Sequence, residues 1–279
     1  MKNITILGAG GKMGGRITDC LVKCSQYQLT LVETGAAGIE RIKAKGLQVT
    51  PLEEGLKSCD TVIFALPDML LGELTAKYVP MLNPGTLVIL LDPAAVYANE
   101  FFMRDDCTFA VIHPCHPPLF FEQPNEAARN DHFGGVAGLQ DVVIAFVQGD
   151  REQFKDAIQL SKDMFAPVMH SYEITVEQMA LLEPAVTEVV NTCLVEVMRE
   201  AVDGIIEQGV PKEAAEAFFF GHVQMALSII LLKTNPMSDA CKIACKAGWE
   251  NIIKPDWKKV ISTDFTKQMV KRMLHPYDN

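Results

Sequence analysis

"TILGAGGKMGGRI", Thr5 to Ile17, is the stretch on which the fold turns. A short apolar run enters glycines at Gly8, and an amphipathic segment follows at once. That texture predicts a strand, a tight glycine turn and the first turns of a helix. A helix N-terminus carries unsatisfied N–H groups and partial positive charge, a seat for a pyrophosphate, and glycines let the backbone approach it. The spacing is not the common G-x-G-x-x-G, because Met13 stands where the third glycine would fall. Gly8, Gly11 and Gly14 read instead as G-x-x-G-x-x-G, with Gly10 as an extra freedom near the phosphates. Lys12 and Met13 then lie at the helix start.

Outward from this loop the same texture repeats. Apolar runs rich in Val, Ile and Leu recur at "NITILGA" (3–9), "QLTLVET" (28–34), "DTVIFAL" (60–66), "GTLVILL" (85–91), "FAVIHP" (109–114) and "VVIAFVQ" (142–148). Helical periodicity lies between several of them, at 12–24, 38–45 and 68–80. Such runs alternating with helices describe a parallel sheet covered on both faces. The fold class expected is α/β, with an N-terminal Rossmann-type, doubly wound, mostly parallel sheet.

After about residue 173 the pattern becomes helical. One long helix is expected from Thr175 to Gln208, stopped by Gly209 with Pro211 just beyond. Pro184 lies inside it, which predicts a kink or break there. A second helix runs from Pro211 to about Lys233, and shorter ones occupy 237–253 and 262–274. The expected division is a nucleotide-binding domain over 1–172 and an all-α substrate and dimerisation domain over 173–279. The apolar surface of the long helix exceeds what a small helical domain can cover, which predicts a homodimer.

Composition narrows the partners. A net charge of −10 argues against nucleic acid, and the absence of a Lys/Arg block argues against an anionic membrane surface. The most apolar run, "MALSIILL" (225–232), is far short of the ~20 residues that cross a bilayer. The N-terminus does not read as a signal peptide. None of the eight cysteines forms a C-x-x-C pair, and a reduced, cytoplasmic protein is the plain reading. Cys20/Cys24 and Cys241/Cys245, one helical turn apart, read as buried packing pairs.

Candidate functional residues gather at the carboxyl ends of the strands, where open α/β sheets bind ligands. Glu33 ends the second strand roughly 20 residues past the loop, the place of an acid that hydrogen-bonds the adenosine ribose. A carboxylate there repels a 2′-phosphate and the nearest arginine is Arg41, so NAD is preferred over NADP. Ala65, Leu66 and Pro67 would line the nicotinamide side, with Asp68 capping the next helix and Asp92 ending a later strand similarly. In "VIHPCHPPLFF" (111–121), prolines hold His113 and His116 in place, as metal ligation or acid–base work requires. Glu183, in "QMALLEPAVTEVVN", sits among apolar residues and needs a cation partner. At ~100° per residue it shares a face with Thr187 and Asn191, and Glu188 lies off that face. Two histidines and this acid suggest a site for a divalent metal, Zn or Mg/Mn. Cys115 reads as a strand-end residue facing the core. His222 reads as a satisfied core histidine and a weak substrate candidate, alongside Asn191 and Lys258. Lys259, Arg129 and Arg199 stay undecided.

The segments "GAGGKMG", "HPCHPP", "GGVAG" (134–138), "TVEQMALLEP" (175–184) and "PDWKKV" (255–260) together resemble the D-apionate oxidoisomerases. These are NAD-dependent relatives of the 6-phosphogluconate and β-hydroxyacid dehydrogenases, and the resemblance extends over essentially the whole chain. It implies oxidation of the 2-hydroxyl of a branched sugar acid with NAD. A metal-assisted ketol rearrangement to 3-oxo-isoapionate follows. It also implies His113 and Glu183 as metal ligands with His116 beside them, and His116 or a metal-bound hydroxide as the base. The catalytic lysine of β-hydroxyacid dehydrogenases has no equivalent, since no Lys or Arg occurs from Thr175 until Arg199. Two alternatives remain open: a simple NAD-dependent dehydrogenase of a 3-hydroxy or polyhydroxy acid, and a non-catalytic NAD-binding sensor.

Overall fold

The computed structural model describes residues 1–278. It forms two compact units, one of residues 1–180 with the C-terminal residues from 267 on, the other of residues 181–266. The division falls later than the expected 172/173, and the C-terminal segment returns to the first unit.

The first unit is built on one seven-stranded sheet in the order β2-β1-β3-β4-β5-β6-β7. The strands are β1 (Lys2–Leu7), β2 (Tyr27–Val32), β3 (Thr61–Phe64), β4 (Leu87–Leu90), β5 (Thr108–His116), β6 (Gln140–Gln148) and β7 (Val168–Glu173). All neighbouring pairs run parallel except β5 and β6. The short central strands are buried throughout, so both faces are covered. Alternation divides them: Val62, Phe64, Val88 and Leu90 point into one core, Ile63 and Ile89 into the other.

Helices close each face. On one side lie α1 (Lys12–Leu21) and α7 (Arg151–Met164), contributing Ile17, Leu21, Phe154, Leu160 and Met164. Ile42 of α2 (Ala36–Ala44) joins that core. On the other side lie α3 (Leu52–Lys57), α4 (Asp68–Tyr78) and the short α5 (Ala94–Tyr97). A single turn, α6 (Glu126–Asn130), precedes β6, and α8 (Val176–Ala180) follows β7. No element was expected over 149–172, where α7 and β7 stand. The apolar period of α7 is regular, with Asp150 accepting from Glu152 N as its cap. β7 is largely exposed, so it lacks the continuous apolar run that marks the other strands.

The second unit opens with Leu181–Thr192 in π-helical register, followed by α9 (Cys193–Glu207), α10 (Lys212–Leu232) and α11 (Asp239–Ile252). A 3₁₀ turn at Trp257–Ile261 leads to α12 (Thr263–Leu274). Pro184 does not break the helix; the wider register accommodates it. Proline has no N–H to give, and its ring collides with the carbonyl four residues back in an α-helix. The i→i+5 pattern relieves that collision. The stop at Gly209 is as expected: φ is +98°, with Gly209 N bonded to Ile206 O and Val210 N to Ile205 O. α12 ends in the first unit, burying Val270 and Leu274 in the β3/β4 core, and His275 Nε2 meets Glu100 Oε2 at 2.6 Å.

Three sequence expectations change. α10 has 21 residues with mean hydropathy 1.6 in its most apolar window, enough by length and composition to cross a bilayer. The uninterrupted run at 225–232 had understated it. Cys241 and Cys245 are exposed on α11, a helix with no buried residue. Cys115 is exposed as well, because the end of β5 bulges away from regular alternation.

Candidate active site

The glycine turn lies between β1 and α1, with Gly11 as the N-cap of α1 and Lys12 its first residue. Gly8 has φ +75°. A Cβ on Gly10 would lie 2.4 Å from Gly38 O, and one on Gly14 would lie 2.1 Å from Gly8 O. Gly11 is less confined, its nearest contact being Gly8 O at 3.1 Å. The steric register is therefore Gly8, Gly10 and Gly14, with Gly11 rather than Gly10 the more tolerant position.

Glu33 braces this turn. Its Oε2 accepts from Gly10 N at 3.0 Å, and its Oε1 accepts from Thr34 N and Gly35 N at 2.8 and 2.9 Å. A carboxylate offers about four lone-pair sites, so a ribose hydroxyl can still be received beside the turn. Arg41 Nε donates to Gly10 O at 2.7 Å. Arg41, Lys12, Arg16 and Lys45 line a cleft of about 730 Å³ along α1 and α2. Ala65 at the end of β3 abuts Gly8, its carbonyl lying 2.3 Å from where a Cβ would sit. Leu66 is half-buried and Pro67 exposed beside it. Pro67, not Asp68, is the N-cap of α4, and Asp68 is the first helical residue. Asp92 lies just past the end of β4, its Oδ1 accepting from Ala94 N at 2.8 Å, and Pro93 is the N-cap of α5.

The histidines stand at the carboxyl end of β5. His113 Nδ1 lies 2.8 Å from Leu91 O, and His116 Nδ1 lies 2.8 Å from Phe133 O. A carbonyl only accepts, so each Nδ1 carries a proton, and in the neutral ring Nε2 keeps the lone pair. That is the tautomer a metal or a reacting hydroxyl requires. The rings are 6.5 Å apart and nearly perpendicular. His116 adopts φ +63°, just past a register shift between Pro114 and His116. A non-glycine residue there costs on the order of 1–3 kcal/mol and persists only where its surroundings over-determine it.

Those surroundings are the segment "DHFGGVAG", Asp131–Gly138. Asp131 Oδ1 accepts from Gly134 N at 3.0 Å, and Oδ2 accepts from Val136, Ala137 and Gly138 N at 2.8–3.0 Å. Burial pushes the Asp131 carboxyl up, but these N–H groups outweigh it and hold it below the usual carboxylate range. Sequence reading missed Asp131 and Phe133. The available signal was an acid shortly before Gly-Gly, a pattern that folds a loop onto its own amides.

In the second unit Glu183 is half-buried in the π-helical stretch, and Thr187 and Asn191 are exposed. The wider register changes the face. His222 is exposed, not a core residue; its Nδ1 lies 2.7 Å from Phe218 O and its ring stacks on Phe218 at 4.0 Å. Arg199 is paired with Asp203 and Glu216, and Lys259 with Asp256 at 2.6 Å. Lys258 is exposed in the 3₁₀ turn, and Arg129 is exposed in α6. Among the described residues no three His, Cys, Asp or Glu side chains come together as a metal-binding group. His113 and His116 are thus the pair the first unit assembles.

A doubly wound sheet, a phosphate-type glycine turn, an acid at the second strand and two histidines at the sheet edge define a Rossmann-type oxidoreductase. The comparisons agree with this class. Residues 121–274 match the C-terminal family of decarboxylating phosphogluconate dehydrogenase. The chain is 44% identical over 277 residues to the D-apionate oxidoisomerase of Blautia hydrogenotrophica, covering 98% of this chain and 96% of that one. It is 41% identical to the D-apionate oxidoisomerase of Pectobacterium atrosepticum, again covering 98% and 96%. A semialdehyde dehydrogenase NAD-binding protein from Cupriavidus necator, crystallised with calcium and NAD, shares the fold at TM-score 0.94 and 39% identity. The match covers 98% of this chain and 99% of that one. The chain belongs to the D-apionate oxidoisomerase family.

Proposed function

We propose that the protein oxidises D-apionate at its 2-hydroxyl with NAD and rearranges the resulting 2-keto acid to 3-oxo-isoapionate. Full-length similarity to enzymes of that name supports the substrate. The observation that carries the chemistry is the pair of Nδ1–carbonyl bonds that leave His113 and His116 with Nε2 lone pairs at the sheet edge. When bound, NAD supplies the hydride acceptor, and a divalent ion supplies Lewis acidity toward the substrate's oxygens.

The chain's residues fit the dinucleotide. Gly8, Gly10 and Gly14 clear a backbone path for a pyrophosphate at the start of α1, where Lys12 and Met13 stand. Glu33 has acceptor capacity for a ribose hydroxyl, and Ala65, Leu66 and Pro67 border the nicotinamide position. His113 and Glu183 are the proposed metal ligands, one nitrogen and one carboxylate, a donor set that suits Zn or Mn. His116 Nε2 takes the proton of the 2-hydroxyl as its carbon is oxidised. That proton passes to solvent; in the second step His116 takes the tertiary hydroxyl's proton as one carbon substituent breaks its bond to C3 and forms one to C2, and it returns that proton to the oxygen at C2. Asn191, His222 and Lys258 are weaker candidates for holding the substrate. The reading also includes a homodimer through the second unit and a cytoplasmic location; no disulfide links cysteines among the described residues.

Purified protein incubated with NAD, a divalent ion and D-apionate should form NADH, followed at 340 nm, with product NMR showing a rearranged carbon skeleton. Chelation should abolish the signal, and His116→Gln should lower kcat by roughly 10²–10⁴-fold. A product that is only the 2-keto acid would favour a simple dehydrogenase. Activity indifferent to chelator and to His113→Ala would remove the metal from the mechanism.

A further inference from the structure

Nothing in the established reading of the site gives a role to Asp131–Gly138, yet this segment touches both the glycine-turn helix and His116. Asp131 gathers four backbone N–H groups onto one carboxylate, folding the segment into a tight strap. The folded strap directs three successive carbonyls outward. Phe133 O receives His116 Nδ1 at 2.8 Å, Gly134 O receives Arg16 Nη1 at 2.7 Å, and Gly135 O receives Cys20 Sγ at 3.3 Å. Arg16 and Cys20 both belong to α1.

The Phe133 ring adds a second set of contacts. The Arg16 guanidinium stands 3.7 Å from its centroid, Lys12 Nζ stands 4.3 Å away, and the His116 ring lies 4.8 Å away. A cation over an aromatic face is attracted by the ring quadrupole. One residue therefore holds His116 through its carbonyl and α1 through its ring. His116 itself needs such holding, since its backbone occupies the left-handed region at φ +63°.

We propose that Asp131 and Phe133 are positioning residues for His116: the strap fixes the Nδ1–H tautomer, keeps Nε2 as acceptor, and ties that ring to the helix that begins at Lys12. The catalytic consequence rests on the oxidoisomerase reading; the tautomer does not. Without Asp131 the amides of 134–138 lose their common acceptor, and the Phe133 carbonyl is no longer held against the imidazole. His116 then exchanges between tautomers, and the fraction with a proton on Nε2 cannot accept one from substrate.

The test is long-range ¹H–¹⁵N correlation spectroscopy on full-length, ¹⁵N-histidine-labelled protein, with and without NAD, His116 being assigned by loss of its signals in His116→Gln. Wild-type His116 should show a protonated Nδ1 and an unprotonated Nε2. Asp131→Ala should give mixed tautomers and lower kcat for D-apionate at least about tenfold, with a smaller change in the KM for NAD. Asp131→Asn keeps one oxygen for the amides and should recover part of both. Phe133→Ala keeps the carbonyl but loses the clamped ring, and should shift the tautomer in the same direction by less. A wild-type His116 protonated at Nε2 overturns the proposal whether or not any variant folds. So does an Asp131→Ala protein with wild-type tautomer and kcat. If wild-type protein fails to oxidise D-apionate, the functional reading falls while the spectra still decide the strap.

Discussion

At the scale of single residues, the glycine turn makes the sharpest claim. Gly10 and Gly15 sit five positions apart in one motif but face different surroundings. A methyl group on Gly10 would overlap the backbone of Gly38, whereas one on Gly15 would meet nothing nearer than 3.8 Å. Gly10→Ala should therefore weaken NAD binding roughly tenfold to a hundredfold by calorimetry, since overpacking costs about 1–3 kcal/mol. Gly15→Ala should leave affinity unchanged and stabilise α1 by about 0.5–1 kcal/mol. Equal loss in both would mean that the turn is not the cofactor's seat. These positions also show what a sequence can and cannot disclose at this scale. Glycines, Glu33 and the two histidines announce themselves because their chemistry is written in their own side chains. Gly10's neighbour Gly38 and the amides around Asp131 are distant or backbone partners, so the register of the turn and the strap had to wait for coordinates.

At the scale of elements, six strands and the long helices were readable because burial on both sides forces apolar runs. Direction was not: β6 carries the same kind of apolar run as the mutually parallel strands β1 to β5, yet runs antiparallel to β5. The π-helical stretch was the larger surprise, since a proline in a helical pattern signals a kink without saying how the backbone absorbs it. Its effect can be isolated at Pro184, which is buried. Pro184→Ala restores an N–H and removes the ring, so the α register becomes available and Glu183 turns relative to its neighbours. The protein should keep its far-ultraviolet circular dichroism and gain some thermal stability. Its kcat should fall while the KM for NAD is unchanged. If kcat is indifferent to this change, Glu183 has no part in the site. The shared face of Glu183, Thr187 and Asn191 was drawn with 3.6 residues per turn, and the stretch that holds them has a wider register.

At the scale of the whole molecule, the two units differ in how they manage apolar surface. The first unit buries its strands between two cores. In residues 181–266 the buried apolar side chains of the described chain are Pro184, Ala185, Val202 and Ala215, all of them small. Phe218 is 69% exposed, Leu231 61% and Ile243 73%, and α9 and α10 enclose an apolar cleft of about 400 Å³ lined by Val202, Ile205, Ala215, Phe218 and Phe219. Large exposed apolar patches mark interfaces, and a unit that buries so little cannot repay the entropy of ordering its helices alone. A membrane is one way to cover α10, but the apolar surface also spans α9 and α11, which a single spanning helix would leave uncovered. A second copy would cover all three at once, since closed twofold symmetry makes the same patch complementary to itself. Sedimentation equilibrium should therefore give twice the 30.8 kDa chain mass without detergent. Phe218→Asp with Leu231→Asp should yield either a monomer with exposed dye-binding surface or a chain that fails to fold, both with loss of activity. The first unit, expressed with a short linker across 181–266, should still bind NAD if its core is self-sufficient. A monomeric wild type, or a double variant that remains dimeric and active, would mean that this surface serves another purpose.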